Sequence, residues 1–183
     1  PATDQLASRE YQFSRLAGGQ LGAPNRAQGF RASLDEGGLT LAARTSNDWS
    51  ASLGWHSGAI SRDGQAALLQ NEAGELRLEN DSLGLKQRYA VAGRADLSWQ
   101  LNLAGLGAAV SADGQQLQLQ DLAGQTVLNL NLLALEAAGQ VVTGRFVLAG
   151  TALAITTDAT GPLALTLSAQ SPAGLSTTPV WTT

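Results

Sequence analysis

The sequence holds few residues of the types that carry out nucleophilic or acid–base chemistry. It has one histidine, His56, and no cysteine. A Ser-His-Asp arrangement needs a histidine as its base. However, His56 follows a tryptophan at the end of an alternating run, and no nucleophile-elbow pattern occurs in the chain. We therefore expect a surface histidine that has no carboxylate partner and lines no deep pocket, in a chain that is not an enzyme.

Carboxylates are more numerous, but most of them fall in predicted turns. These are Asp35, Glu36, Asp63, Glu72, Asp81, Asp113, Asp121 and Asp158. An aspartate in a turn is explained by its side chain bonding to the local backbone, whereas a glycosidase needs two carboxyl groups facing one substrate. The chain has neither a D-x-[DN]-x-[DN]-G calcium loop nor a zinc-type ligand cluster. We predict no cofactor, and leave open a composite calcium site between turns.

Three tryptophans are the remaining candidates for ligand recognition. Trp49, Trp55 and Trp99 occupy alternating positions whose neighbours are apolar or small. Large aromatic side chains at such positions fill a core, or present an apolar face to a sugar when they are exposed. The core interpretation is favoured. The alternative, a carbohydrate-binding module, requires at least one of the three to lie exposed beside polar groups in a groove.

The elements that position these residues are predicted to be strands. Between Ala95 and Glu136, leucines alternate with Ser, Gln and Asn in three runs, separated by turns at Asp113-Gly114 and at 121–124. Alternate residues of a strand point to opposite faces, and Asp-Gly between such runs is typical of hairpins. We therefore predict an all-β fold, an antiparallel β-sandwich rich in meanders, with little or no helix and with either one core or two packed subdomains.

Local patterns predict individual elements. Residues 10–16 are expected to form the first strand, residues 18–28 a turn-rich segment and residues 57–64 a loop. The segment 30–43 is expected to form a hairpin around its central DEGG. The segment LLALEAA, 132–138, has the composition of a short helix, but its position among strands favours a strand or a turn.

The domain organisation follows from composition. Residues 1–170 are predicted to form the sandwich domain, with a possible subdomain boundary at Ala92–Gly93. Residues 171–183 contain two prolines and a glycine and are interpreted as a linker or docking tail. A net charge of −4 excludes the basic surface that nucleic-acid binding needs. No apolar run approaches the ~20 residues of a bilayer-spanning helix, so membrane insertion is not expected.

Lysine is almost absent. Lys86 is the only one, and lysine is a common guard against pairing at exposed strand edges. The edges of this chain are therefore expected to be covered in another way or used for pairing. A coding bias toward arginine accounts for the same composition and is the favoured explanation.

Two stretches resemble a known family. They are GELRLENDSLGLKQRYAVAGRADLSWQLNLAG, 74–105, and TTDATGPLALTLSAQSPAG, 156–174. They are similar to the β-rich N-terminal domain found ahead of FG-GAP or β-propeller-type repeats in large exported bacterial proteins. The motifs of the resemblance are Gly84–Tyr89, Leu97–Leu101, Asp113-Gly114 and Asp158–Leu163. The resemblance implies export, an extracellular or cell-surface setting and a modular parent protein, and it implies no enzymatic residues.

The first functional expectation is a non-catalytic structural or assembly module of a bacterial surface fibre or adhesin. Such a module would associate with copies of itself through sheet edges or terminal strands, head to tail. The candidate intersubunit contacts are the apolar residues near the two ends, Tyr11, Phe13, Val180 and Trp181. The alternative is the carbohydrate-binding module, whose partner would be a surface glycan.

Overall fold

A computed structural model describes residues 9–172, which form two packed antiparallel sheets. The strands of the first sheet are β1 Ser14–Arg15, β2 Leu21–Asn25, β3 Phe30–Asp35, β4 Gly38–Ala43, β5 Ser50–Gly54, β10 Ser98–Ala104, β15 Arg145–Ala149 and β16 Ala152–Thr156. Those of the second sheet are β6 Ala59–Asp63, β7 Ala66–Asn71, β8 Gly74–Asp81, β9 Gly84–Val91, β11 Gly107–Val110, β12 Gln116–Gln120, β13 Thr126–Ala137, β14 Gln140–Val141 and β17 Leu163–Gln170. The predicted all-β antiparallel sandwich is confirmed.

The strand order interleaves the two halves of the chain. The first sheet runs β1-β2-β3-β4-β5-β10-β16-β15, and the second runs β11-β12-β13-β17-β9-β8-β7-β6, with β14 beside β13. Each sheet therefore contains strands from both sides of Ala92–Gly93. Apolar residues of both sheets form one hydrophobic cluster that extends from Phe13 to Ala169. The possible boundary at Ala92–Gly93 consequently does not separate the two sheets or divide this cluster.

The alternation of apolar and polar residues along the strands determines which side chains form the core. In β12, Leu117 and Leu119 are buried while the three glutamines that alternate with them lie on the outer face. The hairpin predicted over 30–43 is confirmed as β3 and β4, whose register pairs Phe30 with Ala43. The segment 132–138 continues β13 as a strand up to Ala137 and then enters a turn, as favoured, with a register shift between Leu132 and Ala134.

Several local predictions were wrong. The expected turn-rich segment 18–28 contains β2, because Leu21 and Ala23 are buried there despite the flanking Gly and Pro. The expected loop 57–64 contains β6, an edge strand that buries too little surface to alternate clearly. The expected first strand at 10–16 is limited to Ser14–Arg15.

The central meander is shorter than predicted. The run from Leu97 to Leu103 lies mostly in β10, which pairs with β5 and β16 in the first sheet. The Asp113-Gly114 turn instead joins β12 to β11, whose sequence GAAV lacks polar residues and therefore shows no alternation. The β12–β13 connection at 121–125 follows the prediction.

An amide cluster ties both ends of the described chain to the same end of the sandwich. Asn80 Nδ2 donates to the carbonyl oxygens of Tyr11 (3.2 Å) and Pro24 (2.9 Å), and Asn25 Nδ2 donates to Asn80 Oδ1 (2.7 Å). Gln28 Oε1 accepts the backbone N–H of Ser171 at 2.8 Å. Asn25 and Gln28 are buried, and these bonds offset the cost of burying their polar groups. Within residues 9–172, no helix has the length and apolarity to cross a bilayer.

Candidate binding groove on the first sheet

The outer face of the first sheet carries short side chains over four adjacent strands. Phe30, Ala32 and Leu34 of β3 point into the core, which leaves Ser33 on the outside. The same alternation places Gly22, Thr40, Ala42 and Ser50 outward. Because these side chains are short, the sheet face is left as the floor of a groove with a volume of about 580 Å³. That volume lies within the range of small-molecule and oligosaccharide-sized sites.

Two connections supply the walls of the groove. The β1–β2 turn contributes Leu16 and Gln20 on one side, and the β4–β5 loop contributes Asn47 and Trp49 on the other. Leu16 rests directly over Gly22, since a Cβ at that glycine would lie 2.6 Å from Leu16 Cδ1. Leu16 remains 41% exposed although it is apolar. The groove therefore has an apolar rim on both sides and a floor rich in hydroxyl groups.

Trp49 is held in place by the backbone around it. Its carbonyl oxygen accepts the N–H of Ala43 at 3.1 Å, and the preceding carbonyl of Asp48 lies against Gly105, whose φ of +69° favours glycine. The indole is half-buried: it packs against the core cluster and also lines the groove. A fixed aromatic ring that is partly exposed among polar groups is a preorganised recognition surface.

Arg31 supplies the charge of the groove. Its guanidinium donates to the carbonyl oxygen of Arg44 at 3.2 Å and contacts Asn47 Oδ1 at 3.5 Å. Among the groove-lining residues in the described part of the chain, Arg31 is the one that carries a charge. A guanidinium has five N–H donors in a planar fork. These two contacts therefore position it while leaving donors for a ligand.

Trp55 and Trp99 are core residues. They are 8% and 2% exposed and stack edge-on against Tyr89, with ring centroids 5.1 and 5.2 Å apart. Trp55 Nε1 donates to the carbonyl oxygen of Asp96 at 2.8 Å, and burial raises the pKa of Tyr89 well above its ordinary value. The core interpretation is confirmed for these two candidate glycan contacts, which leaves Trp49 as the tryptophan of the three beside a groove.

The candidate intersubunit contacts are placed differently from one another. Phe13 lies fully buried in the core of its own chain, and its N–H donates to the carbonyl oxygen of Gln65 at 3.2 Å. Tyr11 is half-buried. Val180 and Trp181 lie outside the described residues. Phe13 thus holds the segment before β1 in the core of its own chain. Because it has no exposed surface, the prediction that it contacts a second copy was wrong.

His56 differs from expectation. Its Nε2 lies 3.2 Å from Asp96 Oδ1, because the 3₁₀ turn Arg94–Asp96 brings that carboxylate to the end of β5. The prediction that it lacks a carboxylate partner was wrong. The ring is at the surface, with its side chain 47% exposed, and it lines an open depression of about 430 Å³ that also contains Ser57. Within residues 9–172 no hydroxyl is hydrogen-bonded to the ring, so the described groups do not form a Ser-His-Asp arrangement.

The turn aspartates bond to their own turns. Asp113 Oδ1 accepts from Gln115 N at 3.0 Å and from Ser111 Oγ at 2.7 Å, and the backbone bond from Gln115 is the main cause of its lowered pKa. Asp35 accepts from Gly37 N and Asp121 from Ala123 N in the same way. In the described part of the chain, His, Cys, Asp and Glu form no group of three or more that could hold a metal ion.

Sequence reasoning singled out Trp49 but missed Arg31, Asn47 and Leu16. The available signal was the row of short residues at the outward positions of consecutive strands, next to one tryptophan. That signal is readable only when the strand pairing is known. No protein-family model and no curated protein sequence matches this chain.

Proposed function

We propose that this chain is a non-catalytic carbohydrate-binding domain. The observation that carries the proposal is the half-buried Trp49 at the wall of a hydroxyl-lined groove. The indole presents an apolar surface that suits the C–H face of a pyranose ring. Ser33, Thr40, Asn47 and Arg31 present hydrogen-bonding groups of the kind that fix the orientation of a polar ligand.

The shape of the groove favours a chain over a single sugar. The residues of its floor come from β2, β3, β4 and β5. Four neighbouring strands span roughly 14 Å at the usual inter-strand spacing. The floor is formed by the regular backbone of a sheet, which is a rigid support and needs little reorganisation on binding. We infer an extended oligosaccharide lying across the strands.

The cellular setting is a proposal that rests on the sequence. The resemblance of residues 74–105 and 156–174 to domains of exported bacterial repeat proteins supports an extracellular or cell-surface location. A low content of charged residues, 14%, and a surface rich in Gln, Asn, Ser and Thr agree with contact to neutral polar material. In that setting the domain would hold a large surface protein against a glycan.

Binding is tested with soluble polysaccharides in affinity electrophoresis and with a glycan array. Trp49→Ala is expected to weaken binding at least tenfold, the size of a hot-spot loss, while circular dichroism and the melting temperature show an intact fold. The matched control is Leu122→Ala, which removes an apolar side chain that is 92% exposed at the β12–β13 turn. Loss of binding in both variants, or in neither, would contradict the proposal.

Self-association is the second candidate, and one edge strand favours it. The two strand orders end at β1, β15, β11 and β6, and three of these four end strands carry charge: Arg15 in β1, Arg62 and Asp63 in β6, and Arg145 in β15. The fourth, β11, has the sequence GAAV, and its Gly107 and Ala109 are exposed. An uncharged, small-residue edge accepts an added strand readily. We propose that a second copy pairs there if the parent protein assembles into a fibre.

The mass of the protein in solution tests this candidate. Light scattering over a wide concentration range is expected to show association of the native chain. Ala109→Lys, which places a lysine on the exposed side of β11, is expected to suppress it. A native chain that stays monomeric at high concentration would eliminate pairing through β11 and leave carbohydrate binding unaffected.

A further inference from the structure

The charge distribution of the groove points to the class of carbohydrate. The residues that line it are one arginine together with Ser, Thr, Asn, Gln, Gly, Ala, Pro, Leu and Trp. Within residues 9–172, no carboxylate lines it, although the chain as a whole has a net charge of −4. The nearest acidic residue in the loop sequence, Asp48, precedes Trp49 but does not belong to the lining. The site therefore has a local charge opposite to that of the molecule.

Within residues 9–172, Arg31 forms no ion pair with a carboxylate. The arginines that form ion pairs among the described residues are Arg26, Arg77 and Arg88. Arg31 instead contacts two neutral acceptors, the Arg44 carbonyl oxygen and Asn47 Oδ1. Neutral acceptors orient a guanidinium without cancelling its charge. The remaining N–H donors are free to form a two-point contact with a planar anion, the geometry that arginine favours.

The position of Arg31 relative to Trp49 is set by one loop. Asn47 contacts the guanidinium and is two residues from Trp49, and both residues line the same wall. A sugar ring that stacks on the indole therefore has the guanidinium beside it on the floor of the groove. A carboxylate substituent on that ring would meet the unused donors.

We propose that the groove selects an acidic carbohydrate that carries uronic-acid carboxylates, with Arg31 as the residue that determines the selectivity. This inference rests on the proposed carbohydrate-binding function and names its ligand class. Trp49 supplies the affinity common to acidic and neutral sugars. Arg31 supplies the difference in affinity between acidic and neutral sugars.

The test compares polygalacturonate with its fully methyl-esterified form, which has the same backbone but neutral carboxyl groups. Titration at low salt is expected to show about tenfold tighter binding of the acid form, a difference typical of one charge-assisted pair. The preference is expected to shrink as ionic strength rises, because exposed charges are screened. Equal affinity for the two forms would overturn the inference.

Three variants separate the causes. Arg31→Gln is expected to lower the affinity for the acid form more than the affinity for the ester, so that the preference for the acid form disappears, while circular dichroism and the melting temperature show that the fold is intact. Arg31→Lys is expected to keep part of the preference, because the charge remains and the planar fork is lost. Arg88→Gln, the same charge change on the outer face of the second sheet, is the control and is expected to have no effect.

The outcomes distinguish the inference from the function on which it rests. A preference for the acid form that survives Arg31→Gln would assign the selectivity to another residue and overturn the inference. Tight binding of the ester and the acid alike, abolished by Trp49→Ala, would overturn it while supporting carbohydrate binding. Failure of the native chain to bind any polysaccharide would overturn both.

Discussion

The outer faces of the two sheets obey the same alternation but differ in what they can do. On the first sheet, outward positions hold Gly22, Ser33, Thr40 and Ala42, and the face is an open groove. On the second sheet, outward positions hold long amides and charged residues that bond to one another across the strands. The uncharged polar members that are linked in this way, named here the amide face, are four amides and one serine: Gln116, Gln118, Asn131, Gln170 and Ser168.

The amide face is filled by its own hydrogen bonds. Gln118 Nε2 donates to Gln116 Oε1 at 2.9 Å, and Gln116 Nε2 donates to Asn131 Oδ1 at 2.8 Å. Asn131 Nδ2 continues the chain to Ser168 Oγ at 3.3 Å and Gln170 Oε1 at 3.2 Å. Such cross-strand pairs stabilise a sheet. They also occupy the groups that a ligand would need, so the longer side chains make this face structural.

Both faces have the same inward–outward alternation, so the length of the outward side chains decides whether a sheet face is a binding surface. Short side chains leave room beside Trp49, and the one cross-strand bond between their hydroxyls in the described part of the chain, Thr40 Oγ1 to Ser52 Oγ at 2.9 Å, leaves the face open. Long amides use the same positions to bond to each other.

The largest effect is expected from filling the groove. Ser33→Trp places a bulky side chain on the floor, where the strand tolerates an aromatic residue. Carbohydrate affinity is expected to fall more than tenfold, while the free energy of unfolding changes little. Ala164→Trp, at an exposed position of the second sheet, is the control and should bind as the native chain does. Undiminished binding by the Ser33→Trp variant would show that the groove is not the carbohydrate-binding site.

A stability comparison tests the amide face. Asn131→Ala is expected to lower the free energy of unfolding by about 1–2 kcal/mol, because it leaves partners of a half-buried network unsatisfied. Ser33→Ala on the other sheet is expected to change it by less than about 0.5 kcal/mol. Urea unfolding measures both. Equal effects would show that the two faces do not differ as described.

A buried amide in the core allows a second comparison, between an unpaired amide and a paired one. Gln87 is fully buried in β9, and neither of its side-chain polar atoms has a hydrogen-bond partner among the described residues. Gln87→Leu is expected to leave stability unchanged or raise it by about 1 kcal/mol, since it removes an unpaired polar group at similar volume. Gln116→Leu, in which a paired amide is lost, is expected to destabilise. A clear loss of stability in the Gln87 variant would indicate that its amide is satisfied.

The smallest effect is expected at the wall of the groove. In Gly22→Ala the new Cβ would displace Leu16, whose exposed side chain can move at little cost. Binding is expected to weaken about twofold to threefold, and the melting temperature is expected to stay nearly constant. Restoration of native affinity by adding Leu16→Ala would instead show that the wall contributes nothing and that only the clash matters.

The sequence by itself determined the fold class and several of the elements. Period-two alternation in 30–43 and 117–119 depends only on which face each strand buries, and that is a local property. The turn aspartates were also readable, because their bonds reach only two to four residues along the chain. Edge strands such as β6 and β11 could not be predicted from the sequence, because an edge strand buries too little surface to show alternation.

Tertiary structure decided which strands are neighbours and therefore where the site lies. Trp49, Trp55 and Trp99 look alike in sequence, yet two fill the core around Tyr89 and one borders a groove. That outcome depends on pairing β5 with β4 and β10, which no local pattern encodes. Arg31 and Asn47 are likewise 16 residues apart in the chain and meet only because the β3–β4 hairpin returns the chain to the same end of the sheet. A strand's alternation specifies its faces, but only long-range pairing specifies what those faces meet.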